Sequence, residues 1–498
     1  MRLLFSDRFQ RFVARCSFQE RCEVAEAGFK WDDAFRQWWA TDLAIADKLF
    51  KYAEGQALEK LEDRRSAFLD SIAHDAELDT ADIVPDGLEL LPYQKAGVAF
   101  ITKRVNSLVG DDMGLGKTVE AIVACNVWRP ASVLVLCPAS VVINWQSEFD
   151  KWGLVDGLEL CVLSYTKAAR AEYLRSLLRP WGVLILDEAH YLKNYKAKRT
   201  KAVLKHLVGR AARVVALTGT PIPNKPREIF PIVSSLAPDL FGRSFDGFAK
   251  RYCDAHFDDF GYWNTDGSSN LTELQDKLRS TIMIRRQKED VLRELPAKRY
   301  QTIVFDSDAD KTARAAKLSD KPELNDLGGY DIEGSELGDM ATQRRELGVA
   351  KVPKVLAHVR DVLQSEDKAL VFAHHKDVVR LLAEGLAEFG VVTLTGETAS
   401  EKRGEVVRDF QEGKARVFIG NIQAAGVGIT LTAASVVIMA ELDWTPASMD
   451  QAIDRAHRIG QRRSVLVQLL VLDGTLEAYI ADVYKAKREV VKSALDIF

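Results

Sequence analysis

The feature that most limits what this chain can fold into is Gly110-Asp-Asp-Met-Gly-Leu-Gly-Lys-Thr118. It follows a short apolar run, Leu108-Val109, and opens a helical stretch, Val119-Glu-Ala-Ile-Val-Ala124. A glycine-rich turn at a helix N-terminus aims backbone N–H groups at an anion. Gly114 and Gly116 let the backbone come close, Lys117 can reach the β- and γ-phosphates of a nucleotide, and Thr118 can hold magnesium. The strict form of the loop has glycine where Asp111 stands. Strand, loop and helix in this order imply a buried parallel sheet. Ser132-Val-Leu-Val-Leu-Cys137, Val183-Leu-Ile-Leu186 and Arg213-Val-Val-Ala-Leu217 supply further strands, each apolar on both faces.

The second of these runs continues into Asp187-Glu-Ala-His190. A carboxylate pair after a strand is often a solvated turn. Downstream of a phosphate loop, at the C-terminal edge of a parallel sheet, it reads as catalytic. Asp187 would bind magnesium, and Glu188 would orient and deprotonate the attacking water. Far downstream, Arg455 and Arg458 stand three apart, on one face of an expected helix. Spacing alone fits either a bland exposed helix or a pair that neutralises charge on a transferring phosphoryl group.

A second α/β pattern surrounds those arginines: Ala369-Leu-Val-Phe372, Arg416-Val-Phe-Ile419, Ser435-Val-Val-Ile-Met439 and Val465-Leu-Val-Gln-Leu469. With 498 residues there is room for about three domains. We expect a small N-terminal accessory domain over 1–85, a first ATP-binding lobe over 86–300, an acidic connector over 301–350 and a second lobe over 351–498. Residues 306–339 hold ten acidic side chains against four basic ones. Residues 42–72 read as helix.

Charge and cysteine use bound the setting. The net charge is −4, so any nucleic-acid site must be a local basic track. None of the six cysteines forms a CxxC pair, so no zinc site is expected, and a reducing compartment is. Cys137 reads as a small buried hydrophobe. The N-terminus lacks a signal-peptide core and there is no apolar stretch of about 18 residues, so we expect a soluble intracellular protein without membrane contact, in cytoplasm or nucleus according to host.

Taken in order, the segments over about 88–490 resemble a SWI/SNF-type superfamily-two helicase-like ATPase. They are Leu90-Leu-Pro-Tyr-Gln94, the phosphate loop, Pro138-Ala-Ser-Val-Val-Ile-Asn-Trp145, the Asp-Glu-Ala-His box and Leu217-Thr-Gly-Thr-Pro-Ile-Pro-Asn224. Arg285 to Lys298, Gly426-Val-Gly-Ile-Thr-Leu431, Trp444-Thr-Pro446 and Gln451 to Gln461 follow. Met283-Ile-Arg-Arg286, Arg344 to Lys351 and Ala440 to Trp444 look most like the annealing-helicase (HARP-type) branch. The resemblance implies an α/β fold with two RecA-like parallel-sheet lobes. It implies ATP and Mg2+ held by Gln94 as adenine reader, with Asp111, Met113, Gly114, Leu115, Gly116, Lys117 and Thr118. Asp111 is what this family usually carries in the loop. Lys117, Glu188, Arg455 and Arg458 become catalytic, and Thr118 with Asp187 takes the metal.

The resemblance also implies a motor on double-stranded or branched DNA, acting as a monomer. Ser140, Ser164, Tyr165, Gly219, Thr220, Gly426 and Gly428 would lie near the tracked strand. Lys193 to Arg213 holds eight basic residues and no acidic one. That run reads either as a solvated helix face or, starting at Lys193, as a phosphate track. Trp31, Trp38 and Trp39 read first as domain core and second as base-stacking platforms. His190 and His457 read as structural couplers. The short connector leaves little room for the insertions of chromatin remodellers. The expected activity is ATP-dependent translocation that remodels forks, anneals strands or displaces proteins. A strand-separating helicase and a nucleotide-gated clamp with little turnover are the alternatives.

Overall fold

In this computed structural model the described residues are 1–41, 43–223, 225–258, 261–292, 294–306, 334–425, 428–443, 445–475, 477–478, 480–482 and 484. The N-terminal segment builds a four-stranded antiparallel sheet from β1 (Arg2–Ser6), β2 (Arg11–Arg15), β3 (Lys30–Asp32) and β4 (Gln37–Ala40), in the order β1-β2-β4-β3. Leu3, Phe12, Ala14 and Ala40 point to one face, where Val24, Ala46, Leu49, Ala57 and Leu61 from the helices complete a small core. The expected helix over 42–72 is interrupted. Leu43–Asp47 and Gln56–Ser71 are separate helices, broken before Gly55, whose φ of 52° a side chain would resist.

Of the three tryptophans only Trp38 joins that core as expected, half-buried against it. Side chains alternate along a strand, so Trp38 and Trp39 fall on opposite faces. Trp31 is 47% exposed on the edge strand and meets Trp38 edge-on at 5.5 Å. Trp39 carries the Arg11 guanidinium 5.1 Å above its ring. Phe12, Phe29 and aliphatic side chains fill the rest of the core.

The first lobe is a six-stranded sheet. Its strands are β5 (Asn106–Val109), β6 (Ser132–Cys137), β7 (Glu159–Ser164), β8 (Trp181–Asp187), β9 (Ala211–Leu217) and, after a hairpin of β10 (His256–Phe257) and β11 (Trp263–Asn264), β12 (Met283–Ile284). The order is β12-β5-β9-β8-β6-β7, with every neighbouring pair parallel. Leu134, Leu136, Leu184, Leu186 and Ala216 pack into one core, while Val133, Val135, Val183, Ile185 and Val215 pack into another. Both faces are dry, which is why these strands read as continuous apolar runs. Cys137 lies fully buried among them.

The second lobe repeats the design with β13 (Lys298–Phe305), β14 (Ala369–Ala373), β15 (Val391–Leu394), β16 (Val417–Asn421), β17 (Val436–Met439) and β18 (Val465–Leu472). These run in parallel in the order β13-β18-β17-β14-β16-β15. Here the structure departs from the expected connector. Residues 301–305 continue β13 alongside β18, and the helix Gly334–Ser365 runs through position 350. Strand β13 is an edge strand with Arg299, Tyr300 and Gln301 exposed, so it lacks the apolar signature. Most of the acidic stretch, 307–333, lies outside the described residues.

The Lys193–Arg213 run is amphipathic. A short helix, Lys198–Thr200, passes into a π-helix, Lys201–Leu207, that buries Ala202, Val203 and Leu207. Among the described residues no helix is long and apolar enough to cross a membrane.

Lys351, on the long helix of the second lobe, is fully buried and donates to both Glu477 oxygens at 2.6 Å and to the Leu470 carbonyl at 2.8 Å. Lys351→Met keeps the volume and strands the Glu477 carboxylate. We expect a loss of about 3–5 kcal/mol in unfolding free energy by urea titration; an unchanged midpoint would show that Glu477 is not left as an uncompensated buried charge.

Candidate nucleotide site between the two lobes

The phosphate loop starts where β5 ends. Strand β12 continues as a ladder beside it: Gly110 N donates to Ile284 O at 2.7 Å, and Asp112 N to Arg286 O at 3.0 Å. Gly114 and Gly116 have φ of 84° and 85°, a region that side chains resist. The helix Lys117–Trp128 follows, its first bonds running from Val119 N and Glu120 N to Gly116 O at 2.9 and 3.2 Å, so the N–H groups of Lys117 and Thr118 come before its hydrogen-bonded turn. Lys117 lies across the loop, its Nζ donating to Asp111 O at 2.7 Å and Asp112 O at 3.0 Å. Burial lowers its pKa. Thr118 sits half-buried in the first turn.

Asp111 anchors the loop rather than facing a ligand. It is fully buried, and its Oδ1 accepts Arg286 N at 2.8 Å while Oδ2 accepts Arg286 Nε at 3.0 Å. Arg286 also donates to Glu120 Oε1 at 2.7 Å and to the Tyr93 carbonyl. Leu115 is buried, and its carbonyl accepts Tyr93 Oη at 3.0 Å and Gln94 Nε2 at 3.2 Å. Gln94 Oε1 accepts Leu91 N at 3.0 Å, so the amide is fixed at both ends. A Cβ at Gly116 would overlap Gln94 Nε2. Met113 packs so closely on Gly219 that a Cβ there would overlap it.

Strand β8 delivers Asp187 and Glu188 beside this loop. Asp187 Oδ2 accepts the Trp145 indole N–H at 2.8 Å, and Oδ1 accepts Glu188 N at 3.0 Å. Burial and the neighbouring Glu188 push the Asp187 carboxyl up to about 6. Glu188 adopts a left-handed φ of 49°, a strained conformation that turns its side chain out of the strand. Burial alone would raise its pKa, but His190, Lys117 and Arg455 outweigh that and hold it below the usual carboxylate range. His190 Nδ1 stands 3.2 Å from Glu188 Oε2, 3.0 Å from Thr218 Oγ1 and 3.4 Å from Thr220 Oγ1.

The second lobe contributes the arginines, though not from a helix. The helix Pro446–Ile453 ends before them, and the chain continues through turns. Both guanidinium groups still converge: Arg455 Nη1 reaches Ile429 O at 3.4 Å and Arg458 Nη1 reaches the same oxygen at 3.0 Å. Gln461 fastens the turns, its Nε2 donating to Ala434 O at 2.9 Å, Ala456 O at 3.0 Å and Thr432 O at 3.2 Å. Burial, with Arg458 nearby, lowers Arg455 to about 10, while Glu188 and Asp187 act in the other direction. Arg458 Nε would be 3.2 Å from a Cβ on Gly114, so it lies over the phosphate loop.

The residues expected near a tracked strand scatter. Ser140 is half-buried in a single turn after β6. Ser164 caps the helix Tyr165–Ala168 with its hydroxyl. Tyr165 is a correction: it is 2% exposed and donates its hydroxyl to Asp187 O at 2.8 Å. It fills the core under the carboxylates. Lys193 Nζ is engaged by Glu228 Oε1 at 2.8 Å. Thr220 N donates to Thr218 Oγ1 at 3.1 Å. Gly428 bridges the lobes, its carbonyl accepting Asn144 Nδ2 at 3.1 Å. Gly426 lies outside the described residues. The sequence reading missed Trp145, Arg286 and Gln461 as site residues. Each stands inside a quoted motif, but only burial and a specific partner reveal its task.

Residues 93–179 and 158–313 match the SNF2-related domain, and 351–460 match the helicase conserved C-terminal domain. The chain is 36% identical over 448 residues to the DNA annealing helicase and endonuclease ZRANB3 of Mus musculus, spanning 83% of this chain and 42% of that protein. It is 35% identical over 434 residues to the SWI/SNF-related matrix-associated actin-dependent regulator of chromatin subfamily A-like protein 1 of Xenopus tropicalis, spanning 82% of this chain and 45% of that protein. The Caenorhabditis elegans homolog of the latter is 33% identical over 436 residues, with 81% and 61% spanned. The chain thus spans less than half the length of the first two relatives.

The placement of Tyr165 is open to test. Tyr165→Phe removes one buried hydrogen bond and leaves the Asp187 carbonyl without that donor. We expect a loss of about 1–3 kcal/mol in urea unfolding; a variant as stable as the parent would show that the bond from Tyr165 to the Asp187 carbonyl contributes nothing net.

Proposed function

Because the chain belongs to the SNF2-related family of helicase-like ATPases, we propose that it hydrolyses ATP with magnesium and converts lobe movement into travel along double-stranded or branched DNA. One observation carries the reading: Asp187 and Glu188 of the first lobe face Arg455 of the second, and Arg458 lies over the phosphate loop that carries Lys117. A pure binding clamp has no use for a base and two arginines in one place.

The roles follow from the surroundings. Lys117 and the loop N–H groups take the phosphates. Gln94 reads the adenine and passes its position to the loop through Leu115 O. Glu188 is held ionised, as a base must be, and orients and deprotonates the attacking water. Arg455 and Arg458 neutralise charge that develops on the transferring phosphoryl group. Asp187 and Thr118 offer a carboxylate and a hydroxyl, the oxygen donors that magnesium prefers, and two adjacent buried carboxylates favour a cation. Bound there, the ion would supply charge neutralisation to the phosphates of the nucleotide.

Glu188, His190, Thr218 and Thr220 form a chain of contacts from the hydrolysis site to the loop at 218–220. We assign that loop, with Ser140, Lys193, Gly426 and Gly428, to contact with the DNA backbone. Phosphate contacts carry no sequence information, which suits a motor that must pass any sequence. Fork remodelling, strand annealing or displacement of bound proteins is the work we assign to the travel. One relative, the DNA annealing helicase and endonuclease ZRANB3, supports that choice by its name.

Steady-state ATP hydrolysis measured alone, then with duplex, forked and single-stranded DNA and duplex RNA, tests the reading. Duplex or forked DNA should stimulate strongly, and Glu188→Gln should lower the rate by about 10²–10⁴-fold while ATP still binds. Stimulation by RNA alone, or by nothing, would overturn it. Trp145→Phe removes the indole N–H from Asp187. The magnesium concentration for half-maximal binding should rise about 10- to 100-fold, read by isothermal titration as well as by rate.

A further inference from the structure

The chain crosses between the lobes through residues 288–298, and the two ends of that crossing grip one carboxylate. Lys288 closes the first lobe. Its backbone N–H donates to Asp112 Oδ2 of the phosphate loop at 3.1 Å. Lys298 opens the second lobe as the first residue of β13. Both ammonium groups meet Asp454: Lys288 Nζ lies 2.8 Å from Oδ2, and Lys298 Nζ lies 2.8 Å from Oδ1. The Lys288 and Asp454 side chains are 4% and 9% exposed, so the pair is nearly dry. Two further bonds hold the same turn. Lys288 Nζ donates to His457 O at 2.7 Å, and His457 Nε2 stands 2.7 Å from Pro296 O within the crossing segment.

Asp454 immediately precedes Arg455, and His457 immediately precedes Arg458. The turns that carry both arginines are therefore pinned by Lys288, whose own backbone is bonded to the phosphate loop. A single residue ties the loop that holds phosphate to the turns that present the arginines. Helical geometry does not do this work, since the helix ends at Ile453.

We propose that Lys288 is a positioning residue for Arg455, fixing the arginine's approach to the phosphate loop across the lobe interface. The proposal rests on the reading that Arg455 acts on the phosphoryl group, and the two can fail separately. The Lys288 ammonium bonds Asp454 and the His457 carbonyl rather than Glu188 or Lys117, so it acts through Asp454 and the turn. Its loss should cut turnover without weakening ATP binding. The retained Lys298 still compensates Asp454, which limits the cost to folding.

The test is a double-mutant cycle on the full chain with duplex DNA present. Arg455→Ala alone checks the underlying reading: unchanged kcat would sink that reading and the proposal with it. If Arg455→Ala is impaired, Lys288→Met should lower kcat about 100-fold, the scale of a misplacement of about 1 Å, with KM for ATP unchanged. In the Arg455→Ala background Lys288→Met should have no further effect. Lys288→Arg, which keeps the charge, should restore part of the loss. Multiplicative effects of the two variants, or a raised KM with normal kcat, would overturn the proposal. If Lys288→Met does not fold by circular dichroism, Asp454→Asn, which keeps the shape and removes the charge, enters the same cycle with the same expected outcome.

Discussion

The nucleotide end of the molecule depends on one buried guanidinium. Arg286 and its partners Asp111 and Glu120 are fully shielded from water. Its fork spans the base of the phosphate loop, the helix behind it and the Tyr93 carbonyl. A lysine could supply the charge but not the planar set of donors. Two carboxylates share this one cation, and burial pushes Glu120 up. The arrangement is costly to break, because removing the arginine would strand two acids in a dry site. It is placed where stiffness has value. The loop must present its N–H groups in a fixed pattern, and Arg286 fixes the loop from below. The two-residue strand β12 exists for the same reason: it brings Arg286 under the loop by pairing Ile284 with Val109.

The central strands are legible in the sequence because they are buried on both faces, and a continuous apolar run of five or six residues between turns must hide from water on both sides. Strands β7, β13 and β15 escaped since they lie at sheet edges and carry polar or half-exposed side chains. Strand β12 escaped by being too short to show a period. At the site, Lys117, Asp187, Glu188 and Arg455 could be named from motifs, and the structure brings them together. Asp111 and Tyr165 could be named but not placed. Both belong to familiar motifs, and motif membership does not say whether a side chain faces ligand or core. Burial decided both: each is spent on holding another part of the site. Arg455 and Arg458 converge as expected, but through turns locked by Gln461 rather than by helical spacing. Side chains that satisfy backbone groups far along the chain leave no periodic signal.

Lys117 shows how the parts combine. Its ammonium bonds the carbonyls of Asp111 and Asp112, the residues that Arg286 and Lys288 hold from the other side. A phosphate oxygen that draws Lys117 toward itself competes with those two carbonyls. Binding is then an exchange of hydrogen bonds within the loop, and the net gain is smaller than a simple count of new contacts. Asp112 is also the point where the backbone of Lys288 attaches, and Lys288 reaches the arginine turns through Asp454. Movement at the loop thus has a short covalent and ionic route to the second lobe. On the proposed function that route would suit a stepping motor, because the phosphate end and the arginine end both bond one residue, Lys288.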